Sequence, residues 1–235
     1  MIRVIITLLA LLFLASCEVN SGNTPTDPNQ TFTLPNYKPA TPDASHTIRL
    51  TGRDSNGVNY TGSIFIASRA QTILNGESVI PKEFIINFSG GRTSVTLAGT
   101  RYEDTNGNLK SYTIQTTGLT CAPVSPEIMP STVKIGDFGI LPTMECSDNT
   151  SQERNWRVED ARNGNINIIS NVTAKNQSNT IVSVTDIIIK INASSNIVSC
   201  KIVSSQPAIN YKITLEVDVS HSNGLQTESI SSAVL

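Results

Sequence analysis

Alternation of apolar and polar residues with a period of two constrains the fold of this chain more than any other feature of the sequence. In residues 210–219 one parity is polar and the other is apolar, the apolar set being Tyr211, Ile213, Leu215, Val217 and Val219. Successive side chains of a strand point to opposite sides, so this pattern predicts a strand with one buried face.

Further segments with strand character cover most of the chain. They are 47–52, 58–67, 83–88, 93–103, 108–117, 138–146, 153–159, 165–172, 180–192, 196–203 and 226–234. In the 180–192 segment the apolar parity changes near Thr185 and Asp186, which predicts a β-bulge there. No segment combines an apolar 3.6-residue period with helix caps, and β-branched residues are abundant, so we expect an all-β fold with very little helix.

Five Asn-Gly pairs separate these strands. They are Asn56-Gly57, Asn75-Gly76, Asn106-Gly107, Asn163-Gly164 and Asn223-Gly224. Both central residues of a type I′ turn need a positive φ, which Asn and Gly tolerate. The pairs therefore predict antiparallel strands joined by tight hairpins.

A proline cluster at Pro123, Pro126 and Pro130 interrupts the series of strands. It favours two packed β subdomains, 46–120 and 121–235, of the antiparallel sandwich type. A long crossover within a single sandwich is the alternative. The hydrophobic content of 38% is sufficient for a buried core in either arrangement.

Residues able to carry catalysis or bind metal are scarce. The two histidines, His46 and His221, have no recognisable nucleophile beside them, so we expect no catalytic residue, no metal site and no cofactor. Residues 104–108 alternate oxygen side chains as calcium loops do. Leu109 and Gln115 stand where such a loop needs glycine and glutamate, so a hairpin turn is expected instead.

Two further motif matches are interpreted as chance. Ser131 and Lys134 have the spacing of an S-x-x-K catalytic pair, but they lie in a strand-like context rather than on a helix. The tripeptide Asp137-Phe138-Gly139 has no surrounding kinase motifs. We interpret it as a turn whose Phe138 packs as an aromatic plug.

The N-terminus has the features of an export signal. Residues 1–16 combine a positive start at Arg3, an apolar run over 4–14 and small residues at the exit. The run is too short for a permanent membrane span, which needs about 20 residues.

The exit sequence Leu14-Ala15-Ser16-Cys17 resembles the lipobox of bacterial lipoproteins, and the resemblance covers only the first 17 residues. It implies that Cys17 becomes the lipid-modified first residue, and that the membrane is a partner through the fatty acyl chains. The enteric sorting rule retains lipoproteins at the inner membrane when aspartate follows the cysteine. Glu18 at this position favours the outer membrane, on its periplasmic or its surface face.

Residues 17–45 are predicted to be a flexible tether between the lipid and the folded body. The segment is rich in Asn, Thr, Pro, Ser and Asp and has little apolar content with which to offset its chain entropy.

Apart from Cys17, the chain has three cysteines. Export would place them in an oxidising compartment, where they can form one disulfide and leave one free thiol. Cys121 and Cys146 each lie at a strand end beside turn residues, and a bond between them would enclose the proline cluster. We favour this pair. A bond from Cys146 to Cys200 is the alternative, since these two and Trp156 are spaced like the immunoglobulin cysteine and tryptophan pin.

These features predict a non-enzymatic lipoprotein of the cell envelope, acting as a structural or interaction module with a protein partner. A module binding a small ligand or glycan is the alternative, with loops 119–132 and 147–152 as its binding surface. Aromatic residues are only 5%, and Trp156 shares parity with Val158, so core packing is expected for it rather than sugar stacking. The formal net charge of -2 argues against binding nucleic acid.

Overall fold

The structure is a computed structural model that describes residues 24–34 and 45–219. Within these ranges the fold is all-β, as predicted, and a 3-10 turn at Pro207–Ile209 is its one helical element. The strands are β1 (Phe32–Thr33), β2 (Ser45–Asp54), β3 (Asn59–Ser68), β4 (Thr72–Leu74), β5 (Glu77–Gly90), β6 (Thr93–Glu103), β7 (Leu109–Ile114), β8 (Leu119–Pro123), β9 (Thr132–Val133), β10 (Phe138–Cys146), β11 (Ser151–Asp160), β12 (Asn165–Lys175), β13 (Ile181–Asn192), β14 (Ile197–Gln206) and β15 (Tyr211–Val217).

Twelve of these strands form one closed antiparallel sheet. Their order is β3-β2-β15-β14-β13-β12-β11-β10-β8-β7-β6-β5, and β5 pairs again with β3. The closing pairing places Thr61 opposite Ser89 and Ser68 opposite Lys82. A closed sheet exposes no row of unpaired backbone groups. The arrangement therefore differs from the predicted sandwich, in which two sheets would stack with separate edges.

The proline cluster begins at the end of a strand and continues into a connection within this sheet. Pro123 is the last residue of β8, whereas Pro126 and Pro130 belong to residues 124–137, which join β8 to β10. Those two strands pair with Cys121 opposite Cys146. Strands from 46–120 and from 121–235 thus belong to the same sheet.

The interior of the sheet holds the main apolar core. Side chains that share one parity line the interior, because antiparallel partners point to the same side. The core includes Leu50, Ile64, Trp156, Val158, Ile168 and Ile189. Burying such a side chain stabilises the fold by about 1.5–3 kcal/mol. Trp156 fits because Gly139 lies opposite it, where an added Cβ would come within 2.5 Å of the indole nitrogen.

Part of the predicted tether belongs to the folded body. Phe32 of β1 pairs with Val133 of β9, and both side chains are buried in the main core. The hydroxyl of Thr26 donates a hydrogen bond to the carbonyl of Asn165 at 2.9 Å. The segment 24–34 docks through the apolar side chains of Phe32 and Leu34, which pack in and against the main core. Residues 17–23 and 35–44 lie outside the described residues, as do the predicted signal segment 1–16 and the predicted strand 226–234.

The described Asn-Gly turns are of three kinds, and at the pair 163–164 both residues and the preceding Arg162 have positive φ. Asn75 and Gly76 both have positive φ, as a two-residue type I′ hairpin requires. At the pairs 56–57 and 106–107 only the glycine is left-handed. There the preceding aspartate, Asp54 or Asp104, holds the turn by accepting backbone N–H bonds. The recurring Asp-x-Asn-Gly tetrapeptide is therefore a longer hairpin turn.

The bulge predicted at Thr185 and Asp186 is absent from the pairings of β13, because both neighbours of that strand pair continuously through those residues. The register shifts instead near Lys175 and near Ile191. The parity change has another cause: the inward parity becomes polar at Ser183 and Thr185, while Val182 is exposed.

Candidate functional site

The structure pairs Cys121 with Cys146 in a disulfide, the pairing favoured on sequence grounds. The two residues lie opposite each other on β8 and β10, with Cα atoms 4.0 Å apart. Both side chains belong to a second, smaller core cluster with Leu109 and Met144. Cys200 is a free buried thiol in the main core, and Cys17 lies outside the described residues.

The motif matches take ordinary structural roles where the structure describes them. Ser131 and Lys134 flank the short strand β9, so no helix places them one turn apart. Asp104 accepts backbone N–H bonds from Asn106 and Asn108, both at 2.9 Å, which uses the carboxylate in the turn. His46 lies on β2, where burial lowers its pKa. His221 lies outside the described residues.

Phe138 does not pack as the predicted aromatic plug. Its side chain is 78% exposed, because it points outward from β10 while Trp156 fills the interior opposite Gly139. Ile140, on the same outward parity, is 86% exposed, and Ile128 of the β8–β10 connection is 80% exposed. We call these three residues the β10 patch.

A layer of charged side chains lies inside the sheet, and this layer is the candidate functional site. Lys82 of β5 and Glu103 of β6 are almost fully buried, and the Lys82 Nζ lies 2.8 Å from Glu103 Oε2. Arg101 lies opposite Lys82, and its Nε is 2.7 Å from Glu103 Oε1. One carboxylate thus faces two basic groups in a site largely shielded from water.

A second buried pair joins β11 to the β8–β10 connection. Arg154 is 4% exposed and Glu127 is 5% exposed. The Arg154 Nη2 donates to Glu127 Oε2 at 2.9 Å and to the carbonyl of Pro142 at 3.1 Å. That carbonyl is available because the β10–β11 register shifts between Leu141 and Met144, leaving Pro142 outside the ladder.

Tyr112 connects the two parts of the layer. It lies opposite Arg101 on β7, and its hydroxyl accepts a hydrogen bond from Gln152 Nε2 at 2.5 Å. Burial raises the Tyr112 pKa, while the Gln152 hydrogen bond and the Arg154 charge act in the opposite direction. The tyrosine therefore stays a neutral hydroxyl at physiological pH.

Among the described residues, three basic side chains of this layer, Lys82, Arg101 and Arg154, face two acidic ones, Glu103 and Glu127. Within the described residues, the Nε and Nη1 atoms of Arg154 are buried and make no hydrogen bond. Buried N–H groups of a charged side chain are costly without a partner. Chemically, the layer can accept a small anion such as a carboxylate or phosphate, because a guanidinium presents paired donors that match such groups.

Sequence reasoning missed this layer, although the sequence carries a signal for it. Arg154 has the parity of Trp156 and Val158, and Lys82 has the parity of Phe84 and Ile86, so each places a charge on an otherwise apolar face. Glu127 has no such signal because it lies in a connection with no periodicity.

Among the described residues, no helix is long and apolar enough to cross a membrane. The same part of the chain contains no cluster of three or more His, Cys, Asp or Glu side chains suited to a metal ion. Comparison with known proteins identifies no relative: no protein family matches the chain, and no curated protein or solved structure is significantly similar to it.

Proposed function

We propose that this protein is a non-enzymatic lipoprotein of the bacterial envelope, anchored through a lipid on Cys17 and acting as a structural or interaction module at the outer membrane. The observation that carries this proposal is the lipobox-like Leu14-Ala15-Ser16-Cys17 after a short apolar run. The thiol is the group that receives the diacylglycerol. The disulfide between Cys121 and Cys146 also supports an oxidising compartment outside the cytoplasm.

The test is the variant Cys17→Ser in the producing bacterium. The thiol of Cys17 is the attachment group, so the variant should lose the lipid mass from its N-terminal peptide and leave the membrane fraction. Cys200→Ser is the matched control, because it removes a buried thiol that plays no part in anchoring. Equal membrane retention and unchanged N-terminal peptide mass for Cys17→Ser would overturn the proposal.

A second candidate function is binding of a small anionic ligand in the charged layer. The observation that favours it is Arg154, a buried guanidinium with two N–H groups lacking a hydrogen-bond partner in the described structure. Trp156 lies two residues away on the same face of β11, so its fluorescence is a local probe.

Titration with inorganic phosphate and with acetate, followed by Trp156 fluorescence, tests this second function. Saturable binding that is lost in Arg154→Gln and kept in Arg157→Gln would support anion binding in the charged layer. Arg157→Gln is the matched control, because Arg157 is on the exposed face of the same strand. The absence of a saturable change with both anions would contradict it.

A further inference from the structure

The route of the N-terminal segment fixes which end of the sheet lies near the proposed anchor. Thr24 is bonded to the turn between β11 and β12: its carbonyl accepts the N–H of Asn163 at 2.8 Å, and its own N–H donates to the Asn163 side chain at 3.0 Å. Six residues, 18–23, separate Thr24 from Cys17. Even a fully extended chain holds Cys17 within about 25 Å of Thr24. We call this end of the sheet the anchor end.

The β10 patch, made of Ile128, Phe138 and Ile140, lies close to the anchor end. Phe138 pairs with Arg157, three residues along β11 before Asp160, and the Asp160 carboxylate accepts the N–H of Thr26 at 3.3 Å. Three residues of strand span about 10 Å, and neighbouring strands are about 4.8 Å apart. The distance from Phe138 to the docked N-terminal segment is therefore shorter than the reach of the chain from Thr24 back to Cys17.

The patch is unusual for a surface exposed to water. Phe138 and Ile140 occupy successive outward positions of one strand, and Ile128 lines a shallow groove together with Phe138. Side chains this large and this exposed mark a binding surface when they cluster, whereas single ones are ordinary.

One carboxylate and two ion pairs flank the patch. Asp137 lines the same groove as Phe138, and its carboxylate accepts the N–H of Lys134 at 2.8 Å. Arg157 pairs with Glu159 at 2.7 Å, and Arg162 lies 3.5 Å from Asp160. Each of these ion pairs is neutral as a whole, so neither adds a net charge that repels anionic headgroups. The apolar side chains can then enter the region between headgroups and acyl chains, where aromatic and aliphatic side chains of peripheral proteins insert.

We propose that the β10 patch rests on the surface of the bilayer that holds the lipid of Cys17, so that the anchor end faces the membrane and the opposite end faces away. This inference rests on the proposed lipidation. The body is then held against the membrane by two contacts, the lipid and the patch, rather than by a flexible tether alone. The acyl chains of the diacylglycerol already retain the protein on the membrane, so the patch sets the orientation of the body rather than its retention.

Lipid-dependent quenching at single labelled positions tests the inference. The full-length lipidated protein, carrying Phe138→Cys or Ile140→Cys, is labelled with an environment-sensitive fluorophore. It is then reconstituted in phosphatidylethanolamine and phosphatidylglycerol vesicles containing brominated lipid. Cys200 is buried and the other two body cysteines form the disulfide, so labelling is confined to the new site.

The matched control is Ile209→Cys, which is 68% exposed in the 3-10 turn at the opposite end of the sheet. We expect a blue-shifted emission and several-fold stronger quenching at positions 138 and 140 than at 209. A β-type circular dichroism spectrum establishes that each labelled variant is folded.

The outcomes separate this inference from the proposed function. A lipidated N-terminal peptide with equal quenching at 138 and 209 overturns the membrane contact and leaves the lipoprotein proposal standing. An N-terminal peptide without lipid overturns both. Weak quenching combined with ready disulfide crosslinking between two Phe138→Cys chains assigns the patch to a second copy of the protein, which also overturns the membrane contact.

Discussion

The thiol of Cys200 is unreactive because strand β14 places it in the main core. The side chain lies in the main core between strands β13 and β15, opposite Ile189 and Val217. Burial raises its pKa to about 12. The thiolate is the nucleophilic form of cysteine, so at physiological pH this residue behaves as a small apolar side chain.

Alkylation with iodoacetamide should therefore leave Cys200 unmodified in the native protein and modify it fully after unfolding in guanidinium chloride. The physical reason is that, in the native protein, the thiol stays protonated and the reagent cannot reach it. Ser178→Cys provides a reactive control, because Ser178 is exposed in the turn between β12 and β13. Mass spectrometry of the peptides gives both rates, and equal native rates at the two positions would contradict the assignment.

Two residues show where sequence parity succeeds and where it stops. Trp156 has the parity of Val158, and parity alone predicted its burial correctly. Phe138 was predicted to pack and is exposed instead, because Gly139 rather than Phe138 faces the interior. The hydrophobic character of Phe138 therefore predicted its burial wrongly. The register of β10 against β11 decided the side, and no local pattern specifies that register.

At the scale of elements, β11 unites the apolar core and the charged layer. Trp156 and Val158 enter the core, and Arg154 on the same face reaches Glu127 in the β8–β10 connection. Val133 attaches that connection to the main core, and the buried ion pair attaches it to the sheet at a second point. Breaking such a pair leaves a buried charge without its counterion.

Glu127→Gln should therefore destabilise the protein by about 3–5 kcal/mol, since Arg154 would keep its charge in a buried site without its counterion. Urea unfolding followed by Trp156 fluorescence measures this change in the free energy of unfolding.

The control for Glu127→Gln is Glu159→Gln, whose partner Arg157 is about half exposed, and a change of at most about 1 kcal/mol is expected there. Similar values for the two variants would show that burial of the Arg154 pair has no special energetic role.

The disulfide closes a second constraint over the same connection. Cys121 and Cys146 are 25 residues apart, and a loop of this size contributes roughly 3 kcal/mol in the chain-entropy model. The double variant Cys121→Ala/Cys146→Ala should lower the free energy of unfolding by about this amount. Non-reducing peptide mapping establishes the bond in the parent protein. A crosslinked peptide that contains Cys200 would show that the pairing differs.

The sequence predicts most strands and far less of their arrangement. Alternation located β2, β3, β6 and β10 to β15 within a few residues, because the period of two is a local property of a half-buried strand. The β3–β5 pairing that closes the sheet, and the β8–β10 pairing across the proline cluster, join segments that a local pattern cannot match. The charged layer depends on this closure, since it brings Lys82 and Arg154 inside the same sheet.

Closure also defines how the whole molecule holds together. β15 pairs with β2, which places Val217 opposite Leu50 and joins the first and last strands of the closed sheet along the chain. Contacts so distant in sequence slow folding, because long loops must close before they form. The N-terminal segment 24–34 adds Phe32 to this core, where it lies opposite Val133. The same segment links the body to the proposed anchor.

Phe32→Ala should therefore weaken the whole molecule as well as its N-terminal segment. The side chain is fully buried in the main core, so its removal should cost about 3–5 kcal/mol. Thr33→Ala is the matched control, because Thr33 is exposed in the same strand, and it should change the free energy of unfolding by less than about 0.5 kcal/mol. Limited proteolysis distinguishes local from global loss. Faster cleavage within 24–34 at unchanged global stability would show that this segment docks without contributing to the core.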